Sequence, residues 1–223
     1  AAIRIWIPKN KVQNIKVDSL GSFIFFIIIS SITIACAQIS KSNNLLILFL
    51  IASLIFIIFG VLRYRSGSEF IVPKKILKDK LFLISNLTHF FIGIGLIIAI
   101  ITVPVMAETI LGASPLEAGL RLLRLTIALS IGAFLGGIMT EKINPKAPLM
   151  IGFILISIGF FFMFGWDLNI SDPGMTIHLS LLGLGFGVCI SPITYCAMKN
   201  IQDTERGSAS SVLTLSRMLG MTI

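Results

Sequence analysis

The sequence predicts an all-α integral membrane protein, a polytopic bundle of six transmembrane helices and the start of a seventh. Three observations carry that prediction. The 223 residues are 56% hydrophobic, with a mean hydropathy of +0.99. Charged residues make up 13%, against about 25% in soluble domains, and one soluble core of this length cannot hide so many large apolar side chains. The apolar residues also gather in runs of about 20, the length that crosses a hydrocarbon core. Lipid solvates such runs; water does not.

The runs follow in order. The first, Leu20 to Gln38, comes after Arg4, Lys9, Lys11 and Lys16, and the second, Leu45 to Leu62, after a short link holding Lys41. Arg63, Arg65, Lys74, Lys75, Lys78 and Lys80 then separate it from a long third run, Leu81 to Ala107, which can begin at the interface. The turn Gly112-Ala113-Ser114-Pro115 introduces the fourth run, Leu116 to Met139. Ser114-Pro115 with Glu117 reads as a helix start, because Pro suits the first helical position and an acid complements the N-terminal dipole. Lys142, the turn Asn144-Pro145 and Lys146 precede the fifth run, Pro148 to Trp166. Asp172-Pro173-Gly174 is a turn of the same kind before the sixth, Met175 to Met198. Lys199 and Arg206 follow, and the seventh begins near Gly207. The basic residues thus fall in alternate connections, while the opposite ones hold Lys41 and the acids Asp167 and Asp172. The positive-inside rule places the amino end in the cytoplasm of a multi-pass cell-membrane protein. The absence of an initiator Met at Ala1 and an end at Ile223 inside an apolar helix read as a piece of a longer protein.

The same pattern excludes other classes. The net charge of +8, from 18 Lys and Arg against 10 Asp and Glu, lies between the apolar runs. A nucleic-acid binder would collect it on one face, so the expected partner is membrane lipid and not nucleic acid. Cys36, Cys189 and Cys196 sit inside apolar runs and read as small buried hydrophobes. His89 and His178 are far apart, and no spacing suits a metal or a disulfide framework. A membrane-embedded enzyme would need His, Asp or Ser groupings at helical spacing. No enzyme, metal or cofactor is expected.

Three stretches carry a resemblance. Leu111-Gly112-Ala113-Ser114-Pro115-Leu116-Glu117-Ala118-Gly119-Leu120 continues into Gly132-Ala133-Phe134-Leu135-Gly136-Gly137. Gly137-Ile138-Met139-Thr140-Glu141-Lys142-Ile143-Asn144-Pro145-Lys146 follows the pattern G-x-x-x-D-R-x-G-x-R/K, with Glu for Asp, Lys for Arg and Asn for Gly. Asn tolerates a left-handed backbone better than most residues, so the turn can survive. Gly183-Leu184-Gly185-Phe186-Gly187, Ser191-Pro192, Glu205 to Ser210 and Ser216 to Gly220 form the third stretch. Together they resemble the fourteen-helix drug:proton antiporters of the major facilitator superfamily, from the ninth helix to the thirteenth. The resemblance implies a partial major-facilitator fold in two parts. Residues 1–80 would hold an amino-terminal cytoplasmic segment, the two inserted helices and a basic loop. Residues 81–223 would hold the C-terminal bundle, lacking its last helix. It implies a fragment of a proton-coupled multidrug or small-molecule efflux transporter working by alternating access. The proton is its coupling ion, and its substrate is an amphipathic small molecule. The missing N-terminal bundle of the same protein is a further partner, since both bundles line the cavity. The alternative is a non-transporting membrane scaffold or sensor with a transporter-like fold.

Candidate residues emerge from both readings. Gly137, Glu141, Lys142, Asn144 and Lys146 form the expected cytoplasmic gating loop, or a solvated turn obeying the positive-inside rule. Glu117, Arg121 and Arg124 share a helix face. Arg124 lies about 13 Å beyond Pro115 at 1.5 Å per residue, where a charge costs at least about 2.5–3.5 kcal/mol. It is expected to face a wet cavity or the missing bundle and to meet an acidic partner or an anionic substrate. Arg121 does the same or snorkels to the outer interface. Arg217 lies about 15 Å into the seventh run, for a structural bond or substrate contact. Glu108 relays protons or sits in interfacial water. Asn86, His89 and Thr102, with Ser191 and Thr194, are cavity-lining candidates by the family's architecture; His89 also suits the cytoplasmic interface. The four-residue pairs Gly132/Gly136 and Gly183/Gly187 permit close helix approach, and Pro192 bends the sixth run by removing an amide donor.

Overall fold

The computed structural model describes residues 19–38, 43–65, 74–167, 170 and 172–222. The amino-terminal segment with Arg4, Lys9, Lys11 and Lys16, and the link with Lys41, lie outside them. So does residue 223.

The described chain is a series of helices: α1 (Ser19–Gln38), α2 (Asn43–Arg65), the short α3 (Lys74–Lys78), α4 (Lys80–Thr109), α5 (Pro115–Lys142), α6 (Lys146–Phe164), α7 (Asp172–Met198) and α8 (Arg206–Thr222). Four of them, α4 to α7, have the length and apolar composition to cross a membrane. Helices α1 and α2 are 20 and 23 residues long, with continuous apolar stretches over Phe26–Ala35 and Ile47–Leu62. The 17 residues of α8 carry Ser210, Ser211 and Thr214 exposed along one side and Ala209 and Leu213 buried on the other.

Local chemistry sets the helix ends. The Asp79 carboxylate accepts from the amides of Leu81 at 2.7 Å and Phe82 at 3.1 Å, capping α4. Ser114 caps α5 in a full capping box: its hydroxyl accepts from the Glu117 amide while Glu117 accepts from the Ser114 amide at 2.8 Å. Gly112 supplies the left-handed turn before it, at φ 63°. Helix α5 runs on to Lys142, three residues past the expected end, so Glu141 and Lys142 stand on its last turn and not in a loop. Only Ile143 to Pro145 connect it to α6. Asn144 does not adopt the left-handed backbone expected of it, since no described non-glycine residue has positive φ. Its side-chain oxygen instead accepts from the Lys146 amide at 3.0 Å, an Asx turn that needs no glycine.

Packing falls into two parallel pairs joined through α7. Helices α5 and α7 run parallel in close contact, and so do α4 and α8; α6 covers the other side of α7, and α1 and α2 form a hairpin. The core lies between α4, α5 and α7, where Phe82, Leu125, Leu179, Leu182 and Phe186 are at most 1% exposed. Outward faces are as apolar as the core: Phe134, Phe161 and Phe164 are 69%, 74% and 92% exposed. An aqueous surface does not sustain that. A bilayer does, and helices pair most of their backbone groups within the segment, as lipid demands.

Candidate functional site

The glycine pairs define the α5–α7 seam. A Cβ on Gly132 or Gly136 would overlap the carbonyl oxygens of Leu184 or Val188 on α7. A Cβ on Gly183 or Gly187 would overlap those of Leu125 or Leu129 on α5. Only glycine lets the two backbones meet, so dispersion and carbonyl contacts replace the hydrophobic drive that lipid removes. Pro192, buried inside α7, cannot donate to the Val188 carbonyl four residues earlier, and it is that carbonyl which faces Gly136. Ser191 crosses the same seam, its hydroxyl donating to the Ala133 carbonyl at 2.8 Å. Thr194 donates within its own helix to Ile190 at 2.9 Å.

A charge cluster closes one end of this seam. Both terminal nitrogens of Arg124 donate to the Asp172 carboxylate, at 3.0 and 2.9 Å, and Arg121 lies 3.5 Å from the same group. Thr176 accepts from Arg124 at 2.5 Å and donates to the Asp172 carbonyl at 2.9 Å. The acidic partner expected of Arg124 is thus on α7 of its own chain. Asp172 had the look of a turn residue; the missed signal was an acid at the start of one run and two arginines without an assigned partner near the start of another. Arg121 is 17% exposed, and one of its terminal nitrogens is buried without a hydrogen-bond partner among the described residues. Glu117 is turned into its capping box. Beside the cluster, the Trp166 indole donates to His178 Nδ1 at 2.9 Å, and the imidazole stacks on Phe162 at 4.7 Å. Sequence reasoning passed over both.

The α4–α8 seam carries the polar residues. Ser216 donates to the Asn86 side-chain oxygen at 2.8 Å, and the Asn86 amide donates to the Phe82 carbonyl at 2.9 Å. His89 is 3% exposed, with Nδ1 3.1 Å from the Leu213 carbonyl oxygen. It sits inside the seam and not on an open wall. Gly93 meets the Arg217 carbonyl, and Gly220 the Phe90 carbonyl, at backbone contact. Farther along the seam a groove of about 420 Å3 opens, lined by Ile94, Ile97, Ile98, Ile101, Thr102, Met221 and Thr222. Thr102 therefore faces open apolar space. Glu108 is exposed near the end of α4.

At the opposite end from the arginine cluster, the Asn200 amide donates to Asp79 at 2.8 Å, tying the α7–α8 link to the α4 cap. That bond, with the amides of Phe82 and Leu81, holds the Asp79 carboxyl below the usual carboxylate range. Glu141, Lys142, Asn144 and Lys146 are exposed at this end, and none of them forms an ion pair with another described residue. Gly137 is half-buried near the Ser191 hydroxyl. No group of three or more His, Cys, Asp or Glu suited to a metal occurs among the described residues.

Parallel helix pairs zipped by glycine, with apolar outward sides and polar groups bridging the seams, define a polytopic helical membrane bundle. The sequence matches the Major Facilitator Superfamily over residues 19–223, and the chain belongs to that family. It is similar to the multidrug transporter protein MdtP of Bacillus subtilis (strain 168), 28% identical over 219 residues, covering 96% of this chain and 40% of that protein. Multidrug resistance protein 3 of the same organism is 26% identical over 183 residues, covering 82% and 36%. A triacylglyceride transporter of Mycolicibacterium hassiacum is 28% identical over 152 residues, covering 64% and 28%. The chain thus spans between 28% and 40% of the length of these three relatives. They point to a membrane transporter and not to an enzyme.

Proposed function

We propose that this chain forms part of a proton-coupled exporter of amphipathic or lipophilic small molecules, working by alternating access. The observation that carries the reading is the similarity to a multidrug transporter over 96% of the chain. Relatives named for drugs and for triacylglycerides share one chemistry, a largely apolar cargo. The apolar groove with Thr102 and Thr222 at its edge suits such a cargo. In this reading the chain is of the fourteen-helix branch, and α1 and α2 are the inserted pair. Helices α4 to α8 belong to the C-terminal bundle, and a second six-helix bundle completes the cavity. The smooth glycine seams let helices shift as rigid bodies, and Glu141, Lys142 and Lys146 latch and release the cytoplasmic end. Asn86, Ser191 and Thr194 serve as seam polar groups, and Arg217 reaches the cavity from α8.

The test is efflux of a lipophilic cationic dye from cells producing the protein, with and without a protonophore. Active expulsion abolished by the protonophore is the expected result. Dye accumulation that does not depend on the protein would overturn the reading.

A further inference from the structure

We infer that His89 is a proton-binding site built into the α4–α8 seam, its neutral form holding the two helices together and its protonated form separating them. The imidazole is 3% exposed. A carbonyl oxygen only accepts, so the contact with Leu213 at 3.1 Å requires the hydrogen on Nδ1. The remaining nitrogen, Nε2, then carries a bare lone pair, and it is buried without a hydrogen-bond partner. A buried acceptor left unmatched is uncommon in native structures and calls for a reason. Nothing in packing supplies one, because an aliphatic side chain would fill the same space with no polar atom to satisfy.

Protonation at Nε2 turns that acceptor into a charged donor with no acceptor in reach. Arg217, a charge of the same sign, follows one turn after Leu213 on α8, whose carbonyl meets His89. Among the described residues no carboxylate forms a hydrogen bond or ion pair with His89. On either side of the ring the two backbones are already at contact, Gly93 against the Arg217 carbonyl and Gly220 against the Phe90 carbonyl. An imidazolium beside a guanidinium in a low-dielectric seam is therefore relieved by moving α8 off α4, which lets water reach Nε2. The Asn86–Ser216 bond and the Leu213 contact are what that motion breaks. This is a local charge change acting on a two-position helix pair. That the bound proton drives export rests on the reading given above; the proton site and its effect on the seam do not.

The experiment has two arms, both on the complete protein reconstituted in lipid. In the first, nitroxide labels replace Leu87 and Thr214, exposed positions on α4 and α8, in a background freed of every other cysteine, Cys36, Cys189 and Cys196 among them. Lowering the pH from about 7.5 to about 5.5, across the ordinary imidazole range, should lengthen and broaden the distance distribution in the parent. His89→Asn keeps an amide donor for Leu213 and removes the titrating nitrogen; its distribution should match the parent at the higher pH and stay fixed. His89→Gln serves where the Asn variant fails to fold. A parent distribution that ignores pH, or a variant that shifts as the parent does, overturns the proposal. In the second arm, dye flux driven by a pH gradient should be lost in His89→Asn while counterflow exchange without a gradient persists. A parent that moves no dye in either mode defeats the export reading alone, and the first arm still decides the proton site.

Discussion

At the scale of the residue, two links between distant positions have measurable consequences. Asp172 neutralises Arg124 through two short bonds and Arg121 through a longer contact. Replacing it by Asn leaves two guanidinium groups facing each other at the seam's end, one with an already unmatched buried nitrogen. Because Asp172 is 52% exposed, solvent screens the pair, and the expected loss is about 1 kcal/mol. Thermal unfolding in detergent reads it, and in the double variant with Arg124→Gln the loss should be smaller than the sum of the two single ones. A fully additive result would show that the pair is not coupled. The second link is Asn200 to Asp79, whose carboxyl is held below its ordinary range. A depressed carboxylate stabilises the fold above its unfolded value of about 3.9, and that contribution fades as the pH falls through the native value. Asn200→Ala should therefore lower the unfolding temperature at neutral pH, and the gap from the parent should close in acid. A gap that stayed constant down the acid limb would mean that the amide acts on something other than Asp79.

At the scale of the element, the seams decide which glycines matter. Gly187 is pressed on the Leu129 carbonyl, whereas a Cβ on Gly119, in the same bundle, would meet nothing within 4 Å. Gly187→Ala forces α5 and α7 apart and is expected to cost about 1–3 kcal/mol, the usual penalty of overpacking. Gly119→Ala should instead gain up to about 1 kcal/mol through helix propensity. Unfolding temperatures moving in opposite directions would confirm the contrast, and equal shifts would refute it. The four-residue spacing of Gly132/Gly136 and Gly183/Gly187 made this seam legible in the sequence, because spacing along one helix reports one face. The α4–α8 seam was not legible in the same way. Gly93 and Gly220 have no glycine four residues away on their helices, and each meets a backbone more than a hundred residues away, so no such spacing marks them. Asp172 and Asn200 stayed hidden for a related reason: their partners lie 48 and 121 positions away, a distance only the folded chain closes. Apolar runs were readable because each span must satisfy lipid over its own length.

At the scale of the whole molecule, the fold fixes which helix ends lie together, and charge fixes which side of the membrane they face. The Arg124–Asp172 link gathers the starts of α5 and α7 at one end, with Glu108 and Glu117. The Asp79–Asn200 link gathers the start of α4 and the α7–α8 connection at the other, where Lys78, Lys80, Lys142, Lys146, Lys199 and Arg206 cluster. By the positive-inside rule the second end is expected to face the cytoplasm. Single cysteines at Ala113, Asn144 and Asp203, in an otherwise cysteine-free background, should then divide cleanly under a membrane-impermeant maleimide. Position 113 should label in intact cells, and positions 144 and 203 only after permeabilisation. The complete reversal of that pattern would keep the bundle and overturn its orientation, leaving the cation-rich end outside. Labelling of 144 and 203 from opposite sides would do more damage. Helices α6 and α7 lie between those positions, and two full crossings must return the chain to the side it left. A split result would mean that one of the two does not span, and the antiparallel packing of α6 on α7 could not then exist in the membrane.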